Sequence, residues 1–432
     1  MKIISLFLIF TITLFAIKED GFYGDIRSQY ISKIDTPTKV DSDSQKAFGF
    51  GTNIGYLTSF SDSLKFEVEV GYTLPFYEFA AGDAARFGIA SPGGEYVDNF
   101  ELKQKDSRSY LQLSSFNLQY ASENLSTVIG AQDLNTPLTK AHDIRLVPNR
   151  FFAAFMDYTL NDTMHFQAFE SLSMAGALDN REHGSNNDKA GHYSSMAKAV
   201  ENQIDEDVEV AGLGFLYEDS IIKSNSWFYF FTQFFAKPAN SEESDNHTIT
   251  IIYTDIDYKL SKNTRISAQY INAEFPKKYQ INRINDFSIF GLKGEQKMGD
   301  FTLIGAYNVS VGDGSVLDVW GARPEYAVAE EFWWGNSGID MIKASAFKVG
   351  VDFRATKNLM IKTAAIEMQS DRAIADKRAS ISIWDVSLNY QAYDALEVYL
   401  LNESITYQLS QKTLQNNQKD STIFKMGMRY HF

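Results

Sequence analysis

The sequence has no cysteine and only 8 prolines in 432 residues. Without cysteine, the chain has no disulfide, no thiolate nucleophile and no cysteine-ligated metal site. Scarce proline favours many paired strands, because proline has no N–H to donate to a β-ladder. Beyond the N-terminal region, charged or amide residues interrupt every apolar run before it reaches the roughly eighteen residues of a transmembrane helix. The sequence therefore argues against a helical inner-membrane protein.

Positive charge is also in short supply, since 40 Lys and Arg stand against 55 Asp and Glu, a formal net charge of −15. This balance argues against a nucleic-acid partner, and it favours cations near any mouth or pore. Tyrosine and phenylalanine are abundant instead, with 23 and 33 copies. Because aromatic side chains pack well on pleated surfaces, the composition indicates an acidic protein rich in strands.

The N-terminal stretch "MKIISLFLIFTITLFAIKED" places Lys2 before an apolar run that ends near residue 17. Such a run is short for a bilayer span and typical of the hydrophobic region of a secretory signal peptide. We therefore predict an exported protein with a signal peptide at residues 1–16 and a single domain at residues 17–432. Ala16 is only a candidate cleavage position, so this boundary is approximate.

Alternation of apolar and polar residues is the main structural signal. The stretch "STIFKMGMRYHF" alternates in this way, and a single strand of this kind also fits the half-buried sheet of a soluble sandwich. In "LKFEVEVGY", however, one face carries Lys65, Glu67 and Glu69, which no soluble core would accept. One apolar and one wet face per strand is the pattern of a transmembrane β-barrel, whose apolar row faces lipid and whose polar row faces the lumen.

The connections between these segments are of two lengths, and short and long connections alternate along the chain. Eight are short and rich in turn residues, starting near 59, 121, 160, 217, 260, 297, 354 and 391. Nine are longer, at about 34–46, 75–107, 132–148, 175–206, 236–245, 273–285, 311–340, 370–380 and 405–420. The predicted fold is all-β: a closed antiparallel barrel of about eighteen strands, with short periplasmic turns and long outer loops.

The stretch "AQDLNTPLTKAHDIRLVPNRFFAAFM", residues 131–156, is more specific than the other connections. Together with "GFYGDIRSQY" near the start, it resembles the OprD-type porin family and related major outer-membrane proteins. The matching positions are Asn135 to Pro137, His142, Asp143, Arg145, Pro148, Asn149 and Phe151. The resemblance implies an eighteen-stranded barrel whose third loop, at about 132–148 here, folds inward and narrows the pore.

Candidate pore residues follow from this interpretation. In the constriction they are Lys140, His142, Asp143 and Arg145. An internal salt bridge that anchors the loop is the competing interpretation of Asp143 and Arg145. On the polar faces of the strands, the predicted lumen-facing residues are Arg27, Lys65, Glu67, Glu69, Arg265 and Arg429. Similar porins that take up carboxylate-bearing solutes use a basic row opposite an acidic patch, but that row is not recognisable at every strand here.

Two further features concern partners. Tyr430 and Phe432 resemble the terminal signal that the barrel-assembly machinery recognises, and outer-membrane lipid would surround the apolar rows. The stretch "GARPEYAVAEEFWWGNSG" fits an interfacial girdle, a subunit contact or a loop over the vestibule. Monomer and homotrimer both remain open, and we predict no cofactor and no bound metal.

The function predicted from the sequence is a passive, weakly cation-selective porin for small hydrophilic solutes in the outer membrane of a Gram-negative bacterium. A channel specific for amino acids or carboxylates, and a surface adhesin or structural barrel, are the alternatives. An enzyme is not predicted, because no G-x-S-x-G elbow or comparable group surrounds any of the six histidines.

Overall fold

The computed structural model describes residues 20–35, 44–81, 109, 111–141, 146–175, 193–196, 209–232, 249–275, 285–314, 324–330, 343–374, 377–408 and 420–432. Secondary structure within these ranges consists of strands, bends and turns. No helix among the described residues is long and apolar enough to cross a membrane.

The strands of the first half alternate apolar and polar residues as predicted. They are β1 (Gly21–Asp35), β2 (Ser44–Ser61), β3 (Leu64–Ala81), β4 (Leu111–Ala121), β5 (Leu125–Gln132), β6 (Arg150–Asn161), β7 (Met164–Ala175), the two-residue β8 (Ser194–Ser195) and β9 (Glu209–Glu218).

The strands of the second half continue the same pattern. They are β10 (Ile222–Thr232), β11 (Ile249–Lys259), β12 (Thr264–Glu274), β13 (Phe287–Met298), β14 (Phe301–Gly312), β15 (Ala344–Thr356), β16 (Leu359–Ile374), β17 (Lys377–Tyr393), β18 (Leu396–Gln408) and β19 (Ser421–His431).

Each long strand pairs antiparallel with its neighbours along the chain, and β1 pairs with β19 to close the sheet. The short β8 pairs with the end of β7, whose main partners are β6 and β9. Eighteen long strands therefore form one closed barrel. The predicted fold class and strand number are confirmed, and a closed sheet leaves no edge open to unwanted pairing.

The two faces of each strand meet different surroundings. On β19, the side chains of Phe424 and Met426 are 36% and 43% exposed, whereas Lys425 between them is 4% exposed. The apolar row is thus on the outside of the barrel and the polar row on the inside. Bulky side chains on an outer face suit contact with lipid, while the inner row requires polar surroundings.

Tyrosines form a band on the outer face close to the short turns. Four of them lie within a few residues of a short turn, and Tyr430 pairs with Leu396 beside the turn between β17 and β18. All are between 39% and 44% exposed: Tyr120, Tyr158, Tyr258, Tyr390 and Tyr430. Their amphipathic rings match the interfacial girdle that transmembrane barrels place at the edge of the apolar layer. The short turns therefore mark one rim of the barrel.

One predicted connection is shorter than expected. The interval 370–380 was predicted as a long loop, but β16 runs to Ile374 and β17 begins at Lys377. The pairing register shifts between Ser370 and Ile374, so the two strands extend beyond the regular ladder. Alternation weakens in this stretch because charged and small residues follow one another, which is why the pattern alone ends the strand too early.

The closed ladder leads to a test in detergent. Unfolding requires breaking a ring of backbone hydrogen bonds that have no substitute inside a micelle. We expect the unboiled protein to migrate differently from the boiled protein in an SDS gel. Identical mobility before and after boiling would contradict a closed barrel.

Candidate functional site

The segment that follows β5 folds into a small hairpin inside the barrel. This internal hairpin comprises residues 134–141, and its ends are joined by a hydrogen bond from the Ala141 N–H to the Leu134 carbonyl, 2.9 Å long. At its tip, the Thr136 N–H donates to the Thr139 carbonyl at 2.8 Å. The Thr139 N–H donates in turn to Thr136 Oγ1 at 3.1 Å. The hairpin is therefore locally complete.

The internal hairpin lies against the inner face of β10. Leu134 and Leu138 are buried there together with Trp227 and Tyr229. The Leu138 N–H donates to the Tyr229 hydroxyl at 3.2 Å, and that hydroxyl donates to Thr136 Oγ1 at 3.1 Å. Apolar packing and two directional contacts thus hold the hairpin to this side of the wall.

Two glycines of β9 make room for the aromatic side chains behind the hairpin. A Cβ at Gly212 would stand 2.3 Å from the ring of Phe169, and a Cβ at Gly214 would stand 2.5 Å from the ring of Trp227. Real Cβ atoms do not approach so closely, so any larger residue would displace these rings. Glycine at both positions lets Phe169 and Trp227 lie flat on the wall.

The chain returns to the opposite side of the barrel along residues 146–149, the return limb. Leu146 and Val147 are fully buried. They lie over Gly51 of β2 and Gly71 of β3, where a Cβ would stand 2.4 Å from the Leu146 carbonyl and 2.7 Å from Val147 Cγ1. The return limb therefore rests directly on the backbone of the wall. Gln112 Nε2 of β4 adds a bond of 2.9 Å to the carbonyl of Pro148.

A buried ion pair fixes the end of the return limb. Arg150 Nη2 donates to Glu69 Oε1 at 2.9 Å, and both side chains are 8% exposed. Arg150 Nη1 also donates to Asp133 Oδ1, which lies at the start of the segment. One guanidinium thus ties both ends of the inward segment to β3.

These anchors hold residues 134–141 against β10 and residues 146–149 against β2 and β3. Lys140 is exposed at the end of the internal hairpin. The other three predicted constriction residues, His142, Asp143 and Arg145, lie outside the described residues. The inward course predicted for this segment agrees with its anchors, while the roles of these four side chains stay predictions.

A second segment, residues 324–330, also lies against the inner wall, which the sequence did not indicate. The Ala327 N–H donates to Asn308 Oδ1 of β14 at 2.7 Å. Lys348 Nζ of β15 donates to the Val328 carbonyl at 2.8 Å, and Gln269 Nε2 of β12 donates to the Pro324 carbonyl. Asn308, Gln269 and Lys348 belong to inward rows, so residues 324–330 of "GARPEYAVAEEFWWGNSG" lie inside the barrel. The girdle, subunit-contact and vestibule interpretations concern Phe332, Trp333 and Trp334, which lie outside the described residues, and they stay predictions.

Tyr326 of this second segment lies between a cation and carboxylates. Lys293 Nζ of β13 is 5.1 Å from the centre of its ring, a cation–π contact. Burial raises the pKa of the Tyr326 phenol, and the nearby carboxylates Asp255 and Asp257 raise it further. The phenol therefore stays neutral at physiological pH and keeps its proton.

A cavity of about 1010 Å³ lies between the internal hairpin and the wall from β6 to β11. Its lining includes five carboxylates and two lysines: Asp157, Asp162, Glu218, Asp255, Glu330, Lys140 and Lys223. Two of these charges are paired with each other, since Lys223 Nζ is 2.9 Å from Glu218 Oε2, and His165 Nδ1 lies 3.2 Å from Asp157 Oδ1. Even so, the lining carries more negative than positive charge.

The basic residues predicted on β1 and β19 lie on the inner face but do not form a bare positive row. Arg27 donates to the carboxylate of Asp25, and Arg429 Nε is 3.4 Å from the same carboxylate. Asn53 Nδ2 adds a bond of 3.0 Å to Asp25. Sequence reasoning missed Asp25, although it stands two residues before Arg27 on the same face.

The remaining predicted residues are spread over the wall. Glu67 accepts hydrogen bonds from Tyr23, Asn117 and Gln119, and Glu69 is the partner of Arg150. Lys65 and Arg265 are exposed on the inner rows near the short turns. The predicted residues therefore do not gather into one cluster, and Asp133, Tyr229 and Arg150 were not predicted at all.

Comparisons with known proteins show which solved structures share this fold. No protein-family model matches the sequence, and no curated protein sequence matches it. Solved structures do match: Acinetobacter baumannii OccAB4 superposes with a TM-score of 0.70 at 12% identity, over 96% of this chain and 98% of that one. A BenF-like porin from Pseudomonas fluorescens Pf-5 gives 0.69 at 12% identity, over 96% and 99% of the two chains. Pseudomonas aeruginosa OpdO gives 0.67 at 13% identity, over 96% and 98%. The chain thus has the fold of these porin structures over nearly its whole length, as the resemblance implied.

Proposed function

We propose that this protein is a passive channel of the outer membrane that passes small hydrophilic solutes and ions. The observation that carries the proposal is a closed barrel, apolar outside, whose polar interior holds a charged cavity beside the internal hairpin. A filled structural barrel would not hold a charged cavity of about 1010 Å³. The porin fold supports the same conclusion and argues against an enzyme.

The proposed channel has a modest preference for cations. Carboxylates outnumber lysines around the cavity, and fixed charges act on ions within about 8 Å at physiological salt. The positive charge of Lys140 opposes this preference, because this side chain is exposed to the cavity at the end of the internal hairpin. The two effects partly cancel, so the selectivity is weak rather than strong.

Reversal potentials in asymmetric KCl across a planar bilayer test this proposal. We expect weak cation selectivity in the parent, stronger cation selectivity in Lys140→Gln and weaker cation selectivity in Asp157→Asn. Both substitutions remove one charge from the cavity with little change in volume. Absence of channels would overturn the function, and anion selectivity in the parent would overturn the charge argument.

A channel specific for carboxylates is the second candidate, since Arg27, Arg429 and Arg150 do lie on the inner wall. The contacts that Arg27 and Arg429 make with Asp25, and Arg150 with Glu69, weaken this candidate. Carboxylates engaged in this way offset the positive charge that would attract an anionic solute.

The signal peptide at residues 1–16 and the assembly signal at Tyr430 and Phe432 stay predictions. Tyr430 belongs to the outward row, and Phe432 exchanges two backbone hydrogen bonds of 3.0 Å with Gly24 at the seam between β1 and β19. Recognition by the barrel-assembly machinery and assembly into a homotrimer are likewise proposals, which the level of assembled protein in cells and cross-linking would test.

A further inference from the structure

We propose that Tyr229 is the positioning residue of the channel: its hydroxyl fixes the internal hairpin and thereby sets where Lys140 stands in the cavity. This inference rests on the proposed channel function. Tyr229 belongs to the wall, on β10, and is fully buried. It therefore acts on permeating ions through the hairpin and not by contact with them.

The hydrogen bonds at the tip of the hairpin leave one backbone N–H for the Tyr229 hydroxyl to accept. Thr136 and Thr139 satisfy each other's N–H groups within the hairpin, and Pro137 has no N–H. The remaining N–H, on the buried Leu138, donates to the Tyr229 hydroxyl at 3.2 Å. The hydroxyl donates a hydrogen bond of its own to Thr136 Oγ1 at 3.1 Å. It thus acts as acceptor and donor at once, which a phenol allows and a phenylalanine does not.

The ring that carries this hydroxyl is itself held firmly. Trp227 stacks on it with ring centres 5.6 Å apart and an angle of 20° between the planes. Phe169 packs against its edge, with centres 6.0 Å apart. Because these two side chains hold the ring, its hydroxyl has a fixed position on β10. The hairpin tip, which is hydrogen-bonded to that hydroxyl, is therefore held at the same place.

Apolar packing alone would not set this position. Leu134 and Leu138 bury the hairpin against the wall, but apolar contact has no direction and tolerates sliding. The two hydrogen bonds of Tyr229 are directional. Without them, the hairpin stays buried but is free to slide along the wall as a unit, and Lys140, which pairs with Asn135 within the hairpin, shifts with it.

The absence of cysteine from the chain permits a background-free test. In a Lys140→Cys protein reconstituted in a planar bilayer, a charged thiosulfonate reagent modifies the introduced thiol and changes the current stepwise. Adding Tyr229→Phe is expected to change the modification rate by about tenfold and to increase open-channel noise, because a buried N–H has lost its acceptor. An unchanged rate together with unchanged noise would overturn the proposal.

Two further variants separate positioning from general damage. Tyr23→Phe removes another inward hydroxyl, one that donates to Glu67, and is expected to leave the rate at position 140 unaltered. Thr136→Val approaches the same contact from the hairpin and is expected to reproduce the effect of Tyr229→Phe if the hydroxyl pair matters. If Thr136→Val leaves the rate unchanged, or if Tyr23→Phe changes it equally, Tyr229 has no special positioning role.

Failure of the proposed function has a different signature. A parent protein that shows heat-modifiable mobility but no current has no channel, and the thiol rate is then read by mass spectrometry in detergent instead. In that case a changed rate in Tyr229→Phe still supports the positioning role, and an unchanged rate rejects it.

Discussion

Arg150→Ala is expected to destabilise the folded barrel by about 3–5 kcal/mol, because it leaves the buried Glu69 carboxylate without its cation. Both side chains are 8% exposed, so water cannot replace the lost interaction. The same change removes the contact between Arg150 and Asp133, so both ends of the inward segment lose their link to this guanidinium. Urea titration in detergent, with the folded fraction read from gel mobility, measures the loss.

Two comparison variants make the Arg150 result specific. Lys223→Ala breaks an ion pair of equal length, 2.9 Å, whose side chains are 57% and 65% exposed, and it is expected to cost at most about 1 kcal/mol. The double variant Arg150→Met with Glu69→Leu removes both charges and is expected to recover most of the stability. Equal losses in Arg150→Ala and Lys223→Ala would show that burial does not govern this pair.

Gly51→Val is expected to lower the single-channel conductance and to destabilise the barrel by about 1–3 kcal/mol. The return limb lies on this glycine, and a Cβ here would stand 2.4 Å from the Leu146 carbonyl oxygen and 2.7 Å from Leu146 Cβ. Backbone atoms cannot rotate away as a flexible side chain can. The limb must therefore move toward the lumen and narrow the water path.

Gly305→Val is the matched control for the glycine variant. Gly305 lies on the outer row of β14, and no atom stands within 4 Å of a Cβ built there. Valine suits a strand, so neither conductance nor stability is expected to fall. If both variants lower the conductance, the effect comes from the loss of glycine in a strand and not from the return limb.

Most of the wall was predictable from the sequence because it depends on local signals. Alternation marks the strands, and turn residues mark eight of the connections, so the number of strands follows from counting. Alternation does not tell the inner face from the outer face where both faces of a strand are apolar. In "SWFYFFT" of β10 the inner residues Trp227, Tyr229 and Phe231 are buried under the internal hairpin, and alternation cannot distinguish that environment from a lipid-facing row.

The candidate site was less predictable because its contacts depend on pairs far apart in the chain. Residues 131–156 were singled out by resemblance, and their inward course agrees with that interpretation. The residues that hold them, however, are 91 positions away at Tyr229 and 81 at Glu69. Only the register of the whole barrel brings such residues together, so no local pattern identifies Tyr229 or Gly51.

The separation of these contacts along the chain predicts the order in which the parts of the protein fold. All wall pairings except the seam between β1 and β19 join strands that are neighbours along the chain, apart from the short β8. The internal hairpin and the return limb bind to β10, β2 and β3, which meet the same space only after the wall has curved. Local hairpins form faster than contacts across long chain separations. We therefore expect an intermediate whose wall is formed while its lumen is still open, with the contacts of the internal hairpin and the return limb forming last.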